Sequence, residues 1–219
     1  MDKVIYLIRH GQTEYNRKGV VQGSGIDAPL NEVGRMQADA FYKAYHDVSF
    51  DYVYTSTLQR SIQSVERFLA DGLPTTQLAG LNEINWGVKE GKVPTTEEHS
   101  YYNDIISGWR EGKLDVAIEG GESPLMVQER QKAALEHILS FPDQKQVLVC
   151  MHGRAMRIFL CLMMNRDLRE MDQFPHTNLG LYLLHYHAGE QRFEIIKEND
   201  QSHLPKLPSS TQEDKTEIK

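Results

Sequence analysis

Cysteine is nearly absent from this chain of 219 residues, which has only Cys150 and Cys161. Two thiols are too few for a disulfide framework or a zinc cluster. Both lie in apolar runs and read as small core residues of a protein in a reducing compartment. Long hydrophobic runs are absent too. Near the N-terminus, Val4 to Ile8 is an apolar run of five residues, followed at once by Arg9 and His10 instead of a small-residue cleavage site. That pattern is not read as a targeting segment. The longest apolar region, Ala155 to Met164, is interrupted by Arg157 and is too short to cross a bilayer. Positive charge is in deficit: 24 Lys and Arg stand against 31 Asp and Glu, a formal charge of −7. An acidic chain argues against broad nucleic-acid binding. These shortages point to a soluble, cytoplasmic protein without a membrane or nucleic-acid partner.

What remains is ordinary globular composition, 40% hydrophobic and 25% charged. The length suits one large α/β domain or two small ones, with enough chain for a real core. Val4–Ile8 is a continuous run of β-formers and predicts a strand buried on both faces. Asn31–His46 carries Val33, Met36, Ala40, Phe41 and Ala44 at helical spacing. Asp51–Thr55 predicts a second strand, with a helix from about Leu58 to Leu69 behind it. Gln77–Leu81 reads as a third strand. From Trp86 to Gly121 the periodicity weakens, and an insertion or lid is expected there, with some helix around Thr95–Gly108. Leu125–Leu139 predicts a helix that Pro124 starts. Gln146–Met151 predicts a fourth, fully buried strand, and Ala155–Met164 a buried helix. Leu179–His187 and Gln191–Glu198 predict an antiparallel hairpin around Ala188-Gly189-Glu190. The tail from His203 to Lys219 is nearly devoid of apolar residues and is expected to be disordered. No internal repeat is present. Strands alternating with helices predict a three-layer α/β/α sandwich around a mainly parallel sheet.

In such sheets the site lies beyond the carboxyl ends of the strands. Arg9-His10-Gly11 follows the first strand, Ser56 to Arg60 the second, Asn82-Glu83 the third and His152-Gly153-Arg154 the fourth. Two imidazoles, two or more guanidinium groups and one carboxylate therefore converge on one sheet edge. Neutral imidazole is a good nucleophile toward phosphorus. Guanidinium groups bind phosphate oxygens bidentately and stabilise the phosphoryl group in flight. A carboxylic acid must protonate the leaving alkoxide, and a nearby phosphate dianion favours its protonated form. The same His10, His152 and Glu83 could be read as metal ligands, but the paired arginines would repel a cation.

The motifs RHGQTEYN (Arg9 to Asn16), VQGSGIDAPLNEVGRMQA (Val21 to Ala38), YTSTLQRSIQSVE (Tyr54 to Glu66), LNEINWG (Leu81 to Gly87), EGGES (Glu119 to Ser123) and MHGRAMR (Met151 to Arg157) follow one another in order. Their order and spacing resemble the histidine phosphatase superfamily, the branch of phosphoglycerate mutases and broad phosphatases, over about residues 3 to 200. The resemblance implies a phosphoglycerate mutase-like fold, with one domain over residues 1–202 and a tail over 203–219. It implies His10 as the nucleophile that becomes phosphohistidine. Arg9, Arg60 and His152 would form the phosphate pocket, and Glu83 would be the proton donor and later the base for water. Asn16, Gln22, Gly23 and Gly153 would line the rim and bind substrate. The implied mechanism uses no metal and calls for no cofactor; the expected partner is a small phosphorylated substrate. A homodimer is left open. Gln12 stands where many members have Glu, and Arg154 where many have a small or amide residue. Arg154 either adds positive charge at the mouth or points into solvent.

A phosphatase and a mutase share the phosphohistidine step and differ in what receives the phosphoryl group. The insertion holds four cations (Lys89, Lys92, Arg110 and Lys113) against seven carboxylates (Glu90, Glu97, Glu98, Asp104, Glu111, Asp115 and Glu119), a poor balance for a second phosphate. Asn85-Trp86-Gly87 also replaces the tyrosine-glycine step and basic insertion expected of a mutase. Phosphomonoester hydrolysis is therefore favoured over a mutase that works through 2,3-bisphosphoglycerate. A non-catalytic phospho-ligand binder is disfavoured because nucleophile and acid are both present. Trp86, Tyr101, Tyr102 and Trp109 either stack on a bulky leaving group or pack the insertion onto the core. His185 and His187 share a strand face without an evident third ligand. They read as half-exposed strand histidines, and no metal site is assigned. His176 is placed near the rim or away from it with equal ease.

Overall fold

The computed structural model describes residues 1–92 and 95–205. Six strands form one sheet: β1 (Lys3–Arg9), β2 (Tyr52–Thr55), β3 (Thr75–Gln77), β4 (Gln146–Met151), β5 (Leu181–His187) and β6 (Arg192–Asp200). Their spatial order is β3-β2-β4-β1-β5-β6. The first four in that order run parallel, β5 runs antiparallel to β1, and β6 returns antiparallel to β5. The helices are α1 (Glu14–Lys18), α2 (Glu32–Tyr45), α3 (Gln59–Ala70), α4 (Thr96–Arg110), α5 (Pro124–Leu139) and α6 (Gly153–Met163).

The continuous apolar strands are buried on both faces because helices cover both. Ile8, Val53, Leu148 and Cys150 meet Phe41 of α2 and Val65 and Phe68 of α3. Ile5, Leu7, Tyr54, Val147, Val149 and Met151 meet Val127 and Ile138 of α5 and Ile158 and Phe159 of α6. Helices on both faces of a mostly parallel sheet make the three-layer α/β/α sandwich. Burial pushes the thiols of Cys150 and Cys161 up, the latter to about 12, as inert core residues require. Among the described residues no helix is long and apolar enough to cross a membrane.

Local chemistry sets several boundaries. Asn31 caps α2 by accepting from Gly34 N at 2.9 Å. Ser123 caps α5 ahead of Pro124. Thr13 and Asn16 form a reciprocal capping box on α1. Leu58 gives α3 no side-chain cap, and Asp27 Oδ1 takes the Gln59 N–H at 2.7 Å instead.

Two expectations change and one alternative is selected. Gln77–Leu81 is not a strand: β3 ends at Gln77, and Ala79–Leu81 forms a short 3-10 turn. Gly80 packs against α5, where an added Cβ would lie 2.6 Å from Arg130 O, and Leu81 is apolar because it enters the core there. The tail does not leave the fold at His203. Its Nε2–H donates to Leu179 O at 2.9 Å, its ring stands edge-on to Phe41, and Leu204 joins the α2/α3 side of the core. Residues 206–219, the rest of the expected tail, lie outside the described residues. Of the two readings of 86–121, the described residues fit an insertion packed on the core. Trp86, Ile106, Trp109 and Ile118 are buried in the main core, Trp86 and Trp109 stack at 5.7 Å, and Trp109 Nε1–H donates to Val116 O. Tyr101 remains exposed, beneath the Lys89 ammonium.

Candidate active site

β1 and β4 are neighbours in parallel register, with Arg9 opposite Met151. The next residue of each strand is a histidine, so His10 and His152 leave the sheet side by side, ring centroids 5.0 Å apart. His10 Nδ1–H donates to Gly11 O at 2.7 Å, which leaves Nε2 with its lone pair outward. The loop carrying it is clamped from outside: Gly11 N donates to Ser64 Oγ and Asn178 Nδ2 donates to His10 O. Gly11 and Gly34 make this clamp tight, since a Cβ on Gly34 would lie 2.1 Å from Gln12 O.

Arg60 enters from the first turn of α3 and is wholly buried. Its Nε–H donates to His152 Nδ1 at 3.1 Å. Its other nitrogens donate to Ile26 O at 2.7 Å and Gly23 O at 3.1 Å. Because His152 Nδ1 accepts, its Nε2–H donates to Ser56 Oγ at 2.7 Å, and Ser56 is in turn bonded to Ser61. Burial lowers the Arg60 pKa to about 10, which still leaves the guanidinium charged at neutral pH. Arg9 donates through one terminal nitrogen to His176 Nδ1 and His176 O, each at 3.2 Å. Gly153 is hemmed by the same pair: a Cβ there would lie 3.0 Å from His176 Cε1 and 3.4 Å from Arg9 Nε.

Glu83 reaches the same place from the loop after the 3-10 turn. Its Oε1 accepts from Ala155 N at 2.8 Å and Ile84 N at 2.9 Å, and its Oε2 accepts from Arg154 N at 3.2 Å. The carboxylate thus occupies the N-terminal end of α6, where amides point outward and the helix dipole favours negative charge. Arg130 pins the loop from outside. It donates to Gly80 O, Asn82 O and Glu83 O and holds Glu122 bidentately, while Glu122 takes Asn85 N. Asn16 meets the His10 loop through Asn178, and Gln22 Oε1 accepts from Thr13 Oγ1. Gln22 Nε2 is buried without a partner among the described residues.

All nine residues singled out from the sequence therefore fall in one place. Several neighbours were missed. Ser56, Ser61 and Ser64 lie in the YTSTLQRSIQSVE motif, and their clustering around Arg60 was a readable signal. Asn178, Arg130 and Glu122 act over long sequence separations and left no local signature. Arg154 takes neither expected position: it is buried and ion-paired with Asp172 at 2.5 Å, the hub that also holds Arg157 at 3.0 Å and Arg110 at 2.9 Å.

Burial, then the Arg60 and Arg9 charges, hold His10 well below the ordinary histidine value of 6.5. The same causes act on His152. Burial and Arg9 lower His176 likewise. All three are neutral in the folded protein, as a nucleophilic imidazole must be. They also make stability pH-dependent. The unfolded chain takes up protons at these histidines as pH falls through about 6.5, while the folded chain does not. Their contribution is full above that pH and is lost progressively below it, with a slope of about 1.4 kcal/mol per pH unit for each histidine. The urea midpoint should therefore drop between pH 7.5 and 5.5, and His152→Gln should flatten the dependence. An equal midpoint at both pH values would contradict this burial.

Residues 5–199 match the model of the Histidine phosphatase superfamily (branch 1). Fructose-2,6-bisphosphatase TIGAR B of Danio rerio is 32% identical over 155 residues, 68% of this chain, and the match spans only 56% of that longer relative. Phosphoserine phosphatase 1 of Hydrogenobacter thermophilus is 29% identical over 91% of this chain and 93% of its own. The "Probable phosphoglycerate mutase GpmB" of Yersinia enterocolitica is 32% identical over 71% of this chain and 72% of its own. Among solved structures, Bacillus stearothermophilus YhfR superposes with a TM-score of 0.79 at 27% identity, covering 92% of this chain and 98% of that one.

Proposed function

This chain belongs to the histidine phosphatase superfamily, branch 1, and from that membership we propose that it is a phosphomonoester hydrolase acting through a phosphohistidine on a small phosphorylated metabolite. The observation that carries the reading is the His10 imidazole: Nδ1–H is committed to Gly11 O, and the ring stands beside His152 within the field of the Arg60 and Arg9 charges. In the first step Nε2 attacks phosphorus and the ester P–O bond breaks. Arg9 and Arg60 neutralise the phosphoryl oxygens as charge spreads over them. Glu83 gives its proton to the leaving alkoxide. In the second step Glu83 takes a proton from water, the oxygen attacks phosphorus, and the P–N bond breaks to release phosphate. Asn16, Gln22, Gly23 and Gly153 line the pocket rim in this reading, and the open donor on Gln22 suits a phosphate oxygen.

Hydrolysis is favoured over transfer to a second substrate by the fate of the insertion's cations. Of its four cations, Arg110 pairs with Asp172, Lys113 with Glu111 at the surface, and Lys89 lies over the Tyr101 ring. The mutase reading keeps the support of the GpmB-type relative, and one assay separates the two. Phosphate release is measured in excess chelator over a panel that includes phosphoserine, fructose 2,6-bisphosphate, and 3-phosphoglycerate with and without 2,3-bisphosphoglycerate. Release from several esters supports a hydrolase that needs no metal. Formation of 2-phosphoglycerate only when bisphosphate is added, with no release, would make the protein a mutase.

The acid has its own signature. Glu83→Gln should slow alkyl phosphates by about a hundredfold or more, the usual worth of general acid catalysis. It should slow nitrophenyl phosphate far less in the phosphorylation step, because nitrophenolate leaves without a proton. Burst kinetics isolate that step. Equal losses on both esters would remove Glu83 from the acid's role.

A further inference from the structure

At the opposite end of the sheet, β5 finishes with His185 and His187 on one face, and Val4 at the start of β1 pairs with His185. The residue just before β1 is Asp2, and Glu194 of β6 sits across from His185. We propose that His185, His187, Asp2 and Glu194 bind a divalent transition-metal ion of the zinc type. The two imidazole rings lie 4.1 Å apart. His187 Nε2 is 3.1 Å from Glu194 Oε2, and His185 Nε2 is 3.9 Å from Asp2 Oδ2. One ligand atom each from Asp2, His185 and His187 lie within 4.8 Å of one another. Bonds of about 2.0–2.1 Å in a tetrahedron place neighbouring ligand atoms roughly 3.4 Å apart. The atoms of Asp2, His185 and His187 are thus within about 1.4 Å of that spacing, and Glu194 adjoins the group at His187 Nε2.

The donor set selects the ion. Two imidazoles with two carboxylates suit zinc, copper, nickel or cobalt and are poor ligands for magnesium or calcium. The two carboxylates also balance a double positive charge. Asp2 is already oriented, since Ala188 N donates to its Oδ1 at 3.0 Å and leaves Oδ2 turned to the histidines. The site is separate from the proposed active site: β1 runs from Lys3 to Arg9, so His10 lies on the order of 20 Å away. A bound ion would tie the segment before β1 to both strands of the β5–β6 hairpin, and it would stabilise the fold by mass action.

The test uses the full chain without a polyhistidine tag, stripped with chelator and then dialysed. Zn²⁺ is titrated by calorimetry and Co²⁺ by visible absorption. Expected are one ion per chain, a dissociation constant on the order of micromolar, four-coordinate Co²⁺ bands and a higher thermal midpoint with Zn²⁺. Binding should weaken from pH 7.5 to 5.5, because imidazole must be deprotonated to ligate. His185→Asn and His187→Asn should each lower affinity by tenfold or more. Asp2→Asn and Glu194→Gln, which keep both imidazoles, should lower it by smaller factors, and they serve where a histidine variant fails to fold. The proposal is overturned if no saturable binding occurs in the micromolar range. It is equally overturned if His185→Asn with His187→Asn in one chain binds as tightly as the original, which would place the ion elsewhere.

Discussion

His10→Ala should reduce phosphate release to background, a loss of about ten-thousandfold or more, as expected when a covalent nucleophile is removed. The expectation follows from the division of labour on one ring. Nδ1–H holds Gly11 O at 2.7 Å and fixes the tautomer, so Nε2 is the atom left for phosphorus. Burial and the neighbouring guanidinium groups keep the ring neutral. None of the neighbouring side chains supplies an equivalent lone pair, since His152 Nδ1 is occupied by Arg60 and His176 Nδ1 by Arg9. The fold should survive, because the loop is held by Ser64 and Asn178 through the backbone of Gly11 and His10. The check is twofold: steady-state phosphate release, and acid-labile radiolabel trapped from a ³²P ester. Labelled protein is expected from the original chain and none from the variant. A variant that keeps more than about a hundredth of the rate would overturn the nucleophile's assignment.

Arg60→Ala should be the most damaging change of any pocket cation, because it strikes catalysis and folding together. Arg60 donates to His152, Ile26 O and Gly23 O, and so ties the 21–27 loop to the end of β4. Its removal leaves buried acceptors without donors, a cost of about 3–5 kcal/mol in stability. It also removes a charge aimed at the transferring phosphoryl group, worth about a hundred- to a thousandfold in kcat/KM. Arg60→Lys separates the two effects. It restores positive charge but cannot span three acceptors with a planar fork. It should recover part of the stability and little of the rate. Urea midpoints and kcat/KM on the same preparations read both. An Arg60→Ala protein with less than a tenfold loss of kcat/KM would show that this guanidinium does not serve the phosphoryl group.

Much of this was legible in one dimension. Val4–Ile8 and Gln146–Met151 are strands because continuous β-branched and apolar residues need two buried faces. Arg9, His10, Arg60 and His152 were found because each sits at or just past a strand end, where parallel sheets gather their chemistry. Glu83 was found for a reason that was only partly right. It was placed after a strand, whereas the chain there makes a 3-10 turn whose apolar Leu81 packs inward. Apolar character marks burial, and over a few residues it does not distinguish a strand from a turn that dips into the core.

By itself, the sequence determined the layer architecture, the strand ends that carry imidazole and guanidinium, and the order of the motifs. These are local properties: side-chain period, β-propensity and the residue that follows a strand. Only the tertiary structure decided which groups are committed and which are open. It spent Arg154 on Asp172 and made Trp86 and Trp109 core instead of lid. It used Arg130, in the middle of α5, to hold the Glu83 loop. It also drew His203 back onto Phe41 and brought Asp2 beside His185. Each is a contact between segments distant in sequence, and its geometry depends on packing of the whole sandwich. No window of neighbouring residues contains that information.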